Sequence, residues 1–75
     1  MELRRLRDIR EDRDIRQKTI AAYLGVSQNT YSQYEHGIIS ISPEYLIKLA
    51  DYFDVSIDYL LERTDNMKIN KQIRI

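Results

Sequence analysis

The sequence contains no cysteine and no tryptophan, only one histidine and one proline, and two glycines. The lack of cysteine excludes disulfide bonds, thiolate catalysis and cysteine-ligated zinc. A single histidine offers no metal-binding cluster, so we expect neither a metal nor another cofactor. No apolar stretch approaches the roughly 20 residues of a membrane span, and the charged N-terminus does not resemble a signal peptide. These absences lead us to expect a soluble cytoplasmic protein with no membrane partner.

The chain also lacks net charge, but its charges are unevenly distributed. It has 75 residues, enough for one small domain, with twelve Lys and Arg against twelve Asp and Glu. The bases gather in residues 1–18 and in the last ten residues, whereas residues 19–65 are acidic. Such asymmetry can turn one face toward a polyanion such as nucleic acid. The alternative is that most of these charges simply solvate helix surfaces.

Apolar residues recur at helical spacing along most of the chain. Gly25 and Gly37 follow two of these stretches, where a left-handed helix end is favoured. Ser42 precedes the only proline, which is a strong signal for a helix start. The sequence therefore predicts an all-α domain over residues 1–65. Its five predicted helices are residues 3–12, 17–24, 28–35, a fourth from Pro43 and a short fifth after Ser56.

The last residues follow a different pattern. Met67, Ile69, Ile73 and Ile75 alternate with polar residues, with Lys71 breaking the apolar set, and this period of two suggests a strand. An isolated strand is not stable, so it would need a partner. Residues 66–75 are therefore interpreted either as an extended arm that contributes to self-association or as a disordered tail.

The segment from Gln17 to Gly37 carries the functional signal. It contains two short helices joined by Leu24-Gly25-Val26-Ser27. Ala21 is small enough to let the helices approach each other, and Gly25 allows a sharp turn. Apolar side chains that can fill the angle are Ile20, Leu24, Val26, Tyr31 and Tyr34. This pattern is typical of a helix-turn-helix, whose second helix enters the DNA major groove.

Residues 3–61 resemble the Cro/C1-type (Xre-like) helix-turn-helix domains of phage repressors and bacterial regulators. The matching pieces, in family order and spacing, are Arg10 seven residues before Gln17, the run 17–21, the turn 24–27, and the stretches 30–37 and 49–61. The resemblance implies a compact five-helix bundle of the lambda-repressor-like DNA-binding type, with residues 28–35 as recognition helix. It further implies a sequence-specific repressor that binds an inverted-repeat operator in double-stranded DNA as a homodimer. Such a protein would associate with the nucleoid when bound.

The expected recognition helix has one polar face made of neutral side chains. Tyr31 and Tyr34 match core positions of the family, which leaves the amides and a hydroxyl on the other side of the helix. Amide side chains can make two hydrogen bonds to adenine, which gives about 1–3 kcal/mol of discrimination. The expected base-reading residues are Gln28, Asn29, Ser32 and Gln33. The alternative is that they only solvate an exposed helix.

Because this helix has no Lys or Arg, phosphate contacts must come from its surroundings. The first candidate is Gln17, at a helix N-terminus where anions are favoured. The other candidates are Arg16, Lys18, His36, Ser40 and Ser42. The resemblance also implies a structural ion pair between Arg10 and Glu35, and the alternative is two independent surface charges.

Two departures from the family pattern precede the second helix, and one other function remains open. Arg16 stands where a capping Ser or Thr is frequent, and Asp14 stands where glycine is frequent. The alternative function is an antitoxin-like protein that binds a partner protein through its tail or its acidic face and regulates its own gene. That face carries Asp51, Asp54, Asp58 and Glu62. No nucleophile–base pair or phosphate-binding glycine loop is visible, so we do not expect an enzyme.

Overall fold

The computed structural model describes residues 3–67. Within them the chain forms five α-helices and no strand: α1 (Arg4–Asp12), α2 (Gln17–Leu24), α3 (Gln28–Glu35), α4 (Pro43–Phe53) and α5 (Ile57–Leu60). This confirms the predicted all-α bundle and its helix order. The first helix begins one residue later than predicted, because Leu3 is its N-cap residue. The predicted strand lies mostly in residues 68–75, outside the described residues, and Met67 itself is not in a strand.

One apolar core connects the helices. α1 packs against α3 and α5, α2 against α3, and α4 against α5. The largest fully buried apolar side chains come from all five described helices and are Tyr31, Phe53, Leu6, Ile20, Leu49 and Leu60. Ala21 is also buried, at 2% exposure, which agrees with its predicted position where α2 approaches α3. The core thus joins the helix-turn-helix segment to α1, α4 and α5 as one unit.

Serine side chains begin three of the helices. In each case the hydroxyl oxygen accepts a hydrogen bond from the backbone N–H three residues later, which satisfies one of the free donors of the first turn. The pairs are Ser27 with Thr30, Ser42 with Tyr45 and Ser56 with Tyr59. α2 differs, because its N-cap residue Arg16 makes no side-chain cap hydrogen bond. The N-terminus of α2 is therefore left open to other partners.

All five described helices end in the same way, although the chain has only two glycines. Gly25 and Gly37 follow α2 and α3 with φ of 78° and 71°, whereas Asp14, Asp54 and Glu62 take this left-handed position after α1, α4 and α5 with φ between 56° and 61°. In each case the next backbone N–H donates to the carbonyl five residues earlier. Acidic side chains thus occupy three positions where glycine would be less strained.

The segment after α5 is held against α1 and α5. The guanidinium of Arg5 lies 4.5 Å from the centre of the Tyr59 ring. It also donates hydrogen bonds to the carbonyl oxygens of Tyr59 and Thr64 and to the carboxylate of Asp65. The backbone N–H of Ser56 donates to the carbonyl of Met67 at 3.0 Å. These contacts place the end of the described chain beside the N-terminus of α5.

Candidate nucleic-acid interface

A buried ion pair links α1 to the end of α3. Arg10 Nε donates to Glu35 Oε2 at 2.6 Å, and Arg10 Nη2 donates to Glu35 Oε1 at 3.2 Å. A third donor, Gln17 Nε2, lies 3.1 Å from Glu35 Oε1, and Arg10 Nη1 donates to the carbonyl of Ile15 at 2.8 Å. Glu35 is only 2% exposed and Arg10 8% exposed. The structure therefore brings Arg10 and Glu35 together. The Glu35 carboxylate at the end of α3 also binds Gln17 at the start of α2, so it connects the two helices.

The electrostatics of this network favour its charged form. Burial alone would raise the pKa of Glu35, but hydrogen bonds, above all from Arg10, outweigh it and hold the pKa of this carboxyl below its usual value. The hydrogen bond to Glu35 raises the pKa of Arg10. Both groups therefore stay ionised in the folded protein, and each supplies the counter-charge that the other needs in a dry environment.

Tyr31 lies at the side of the ion pair. Its hydroxyl oxygen is buried and has no hydrogen bond of good geometry to a described residue. Burial raises the pKa of Tyr31, and the nearby Glu35 carboxylate raises it further. The tyrosine therefore stays neutral, and its ring fills the core between the network and the other helices.

The polar side of α3 faces a shallow depression next to α2. Gln28 and Asn29 are exposed, and Ser32 and Gln33 are half-buried. The depression is lined by Gln17 together with Gln28, Asn29 and Ser32. The structure thus brings three of the four predicted base-reading residues together with the first predicted phosphate-binding residue. Gln33 does not line this depression.

The other predicted phosphate-binding residues lie at the surface around α2 and α3. Arg16, Lys18 and Ser40 are exposed, and Ser42 is half-buried. His36 is exposed, and its Nδ1 lies 2.8 Å from the carbonyl oxygen of Ser32, one turn earlier. The Ser42 hydroxyl accepts the cap hydrogen bond of α4, which still leaves its own proton free to donate.

Sequence reasoning missed the second role of Gln17. It was assigned only to phosphate, whereas its side-chain amide already donates to Glu35. The predicted Arg10–Glu35 pair was a signal for this second role, because a buried carboxylate such as that of Glu35 can accept more hydrogen bonds than one arginine donates to it. Sequence reasoning also missed Arg5, whose contacts with the segment after α5 depend on residues more than fifty positions away.

The four acidic residues of the predicted protein-binding face are all exposed. Two of them have basic neighbours: Glu62 lies 3.6 Å from Arg4, and Asp58 lies 4.0 Å from Arg63. These partners reduce the negative charge available to an external protein. Among residues 3–67 no group of three or more His, Cys, Asp or Glu side chains could hold a metal ion. No helix in this part of the chain is long and apolar enough to cross a membrane.

Comparison with known proteins adds family evidence to this geometry. The chain is 35% identical over 74 residues to the cryptic phage CTXphi transcriptional repressor RstR of Vibrio cholerae, covering 95% of this chain and 67% of the relative. It is 40% identical over 63 residues to the HTH-type transcriptional regulator AnsR of Bacillus subtilis, covering 84% of this chain and 54% of the relative. It is 32% identical over 68 residues to the HTH-type transcriptional regulator ImmR of the same species, covering 91% and 54%.

The chain thus spans about half to two thirds of the length of these curated relatives. No solved structure gives a significant match. A family described as helix-turn-helix matches residues 6–60, which include α2, the turn and α3. This match and the relatives show that the chain belongs to the Cro/C1-type helix-turn-helix family of transcriptional regulators, which bind DNA and are not enzymes.

Proposed function

We propose that this transcriptional regulator is a sequence-specific repressor that binds an inverted-repeat operator as a homodimer. The observation that carries the proposal is the uncharged depression lined by Gln17, Gln28, Asn29 and Ser32. It combines the polar side of α3 with the start of α2. A base edge and the adjacent phosphate of one DNA strand require two such neighbouring surfaces.

In this proposal α3 is the recognition helix. Its eight residues span about 12 Å, enough to cross the major groove once. Gln28 and Asn29 are exposed amides that can both donate and accept, as adenine N7 and N6 require. Ser32 and Gln33 lie one turn further along and read neighbouring bases.

The start of α2 supplies the main phosphate contact. No side chain caps this helix, so its first backbone N–H groups are available to an anion. Gln17 is held in place by Glu35 and keeps a second amide hydrogen for the phosphate. Arg16 and Lys18 add positive charge on either side, and the exposed His36 and Ser40 and the half-buried Ser42 extend the contact along the backbone.

Dimerisation compensates for the small number of cations near α3. One domain with few basic contacts binds DNA weakly, because affinity grows with the number of neutralised phosphates. Two copies on half-sites about 34 Å apart double these contacts and define a palindrome. The relative RstR is named a transcriptional repressor, which favours repression by blocking access to a promoter.

The test is selection of random DNA duplexes by the purified chain and by its Gln28→Ala/Gln33→Ala variant. The parent should enrich an inverted repeat, and the double variant should lose it while keeping weak, salt-dependent binding. An Asn66→Ala variant, which changes an exposed amide in the segment after α5 and outside the proposed interface, serves as the matched control and should enrich the same repeat. Failure of the parent to enrich any sequence at low salt would overturn the proposal, and enrichment of a single half-site would overturn the dimer.

A further inference from the structure

An apolar groove lies between α4 and α5 and shares no lining residue with the depression proposed to bind DNA. Its apolar lining is Ile47, Ala50, Val55 and Ile57, and Asp51, Ser56 and Asp58 complete it. Ile47 is 49% exposed, a large value for an isoleucine on a helix that also contributes to the core. Within the described residues, nothing covers this surface.

The path of the chain leads to this groove. Arg5 holds Thr64 and Asp65 against α1. Two residues later, the backbone N–H of Ser56 donates to the carbonyl of Met67. Since Ser56 is itself part of the groove lining, the described chain ends at the edge of the groove.

The composition of residues 68–75 complements the groove. This segment has three bases, Lys68, Lys71 and Arg74, three isoleucines and no acidic residue. The groove offers apolar surface and the carboxylates of Asp51 and Asp58. Asp51 is in no ion pair among the described residues, and Asp58 shares its charge with Arg63 only across 4.0 Å at an exposed position. In an extended conformation Ile69, Ile73 and Ile75 would share one side with Lys71, and Lys68 and Arg74 would lie on the other side, so the isoleucines can enter the apolar groove while the bases lie near its carboxylates.

We propose that the groove between α4 and α5 binds residues 68–75 of the same chain. A segment tethered at the edge of its site binds at a high effective concentration, so a small apolar contact is sufficient. Eight extended residues reach at most about 29 Å, which is long enough to follow α4 or α5 along their whole length. The proposal does not depend on DNA binding, and it replaces the interpretation of this segment as an arm between two copies.

The experiment uses the absence of native cysteine, because Asn70→Cys creates one site for a nitroxide label. The labelled chain is enriched in nitrogen-15 and diluted with excess unmodified chain of natural isotope content. Amide signals of Ala50, Val55 and Ile57 should be lost through paramagnetic broadening, and those of α3 should remain. In a second sample the label and the isotope are on different chains, and the same signals should remain. Broadening in the second sample but not in the first would assign the groove to another copy's tail and overturn the proposal.

Two variants make the test specific to the groove. In the labelled chain, Ile47→Lys removes apolar lining and repels the basic segment, so the broadening of Ala50 and Val55 should fall to the level that the short tether from Met67 produces alone. Ile38→Lys is the matched control, because Ile38 is 68% exposed and does not line the groove, and it should leave the broadening unchanged. Equal broadening in both variants, or no broadening in the parent, would overturn the proposal.

Discussion

Two regions of this domain place their charges in different ways. At the junction of α1, α2 and α3 the ion pair of Arg10 with Glu35 is almost completely buried and is shared with Gln17, and the exposed Glu11 lies 3.8 Å from Arg10 at its edge. In the segment after α5, each described ion pair has at least one strongly exposed partner, as in Arg5 with Asp65. Buried charges fix geometry because they tolerate no alternative partner, whereas exposed ones exchange readily with water.

The difference corresponds to what each region has to do. The proposed DNA contact needs α2 and α3 at a fixed separation, and the network holds Gln17 at the start of α2 to Glu35 at the end of α3. The segment after α5 only has to stay close to α1, for which peripheral contacts from Arg5 are enough. The following substitutions test this contrast, beginning with the largest expected effect.

Removal of the cation from the buried pair should have the largest effect. Arg10→Met leaves the Glu35 carboxylate buried without a counter-charge, which costs about 3–5 kcal/mol. Small cores usually provide only about 3–5 kcal/mol in total, so the variant should be largely unfolded by circular dichroism. The double variant Arg10→Met/Glu35→Leu should recover much of the helical signal, since no charge is left behind. A single variant as resistant to urea as the parent would contradict the structural role of the pair.

The same pair predicts a defined pH dependence of stability. The folded state holds the pKa of Glu35 below its unfolded value, which is about 4.3. As the pH falls below that value, the unfolded chain takes up the proton first, so the free energy of unfolding decreases. The contribution is complete above the unfolded pKa and is lost as the pH falls through the folded pKa. Urea titrations should show a flatter acid limb for Arg10→Met/Glu35→Leu than for the parent, and parallel limbs would rule out this source.

The turn of the helix-turn-helix depends on backbone conformation and not on close packing. Gly25 has a φ of 78°, but a Cβ added there would meet nothing within 4 Å. Gly25→Ala should therefore lose about 1–2 kcal/mol, entirely through left-handed strain. Gly25→Asn is the control and should lose less, since asparagine visits this conformation more readily. Urea midpoints measure both, and an alanine variant more stable than the asparagine one would refute the argument.

The sequence was sufficient to predict the parts of the fold that depend on local signals. Ser27, Ser42 and Ser56 begin helices as predicted, and Gly25 and Gly37 end them. The same left-handed positions at Asp54 and Glu62 were not predicted, because acidic residues give no specific signal for this conformation.

The network at the candidate site could be predicted only in part. Periodicity places Arg10 on the buried side of α1, but Glu35 lies 25 residues away, and only the family resemblance supplied it as the partner. The bond from Gln17 to Glu35 arises from how α2 and α3 pack. No residue pattern within α2 contains that information, because the contact exists only after the helices are assembled.

The contacts of α1 with the segment after α5 should separate two arginines that are adjacent in sequence. Arg5→Ala removes the contact with the Tyr59 ring and the hydrogen bonds to two carbonyl oxygens, for a loss of about 1 kcal/mol. Arg4→Ala removes only an exposed 3.6 Å contact with Glu62 and should change stability by less than about 0.5 kcal/mol. Equal losses in urea titrations would mean that the segment is not held mainly by Arg5.

The last substitution is expected to increase stability, and it separates folding from the proposed binding. Arg16 is the N-cap residue of α2 and provides no cap hydrogen bond, so Arg16→Ser should stabilise the domain by about 0.5–1 kcal/mol. The same change removes a cation from the proposed phosphate contact, so DNA affinity should decrease and its salt slope should fall by about 0.9 per half-site. Arg13→Ser is the matched control, because Arg13 is an exposed arginine just after α1 and is not part of the proposed interface. The Arg13→Ser variant should change neither the salt slope of DNA binding nor the N-cap of α2. An equal loss of affinity in both variants would show that general positive charge, and not the start of α2, attracts the DNA.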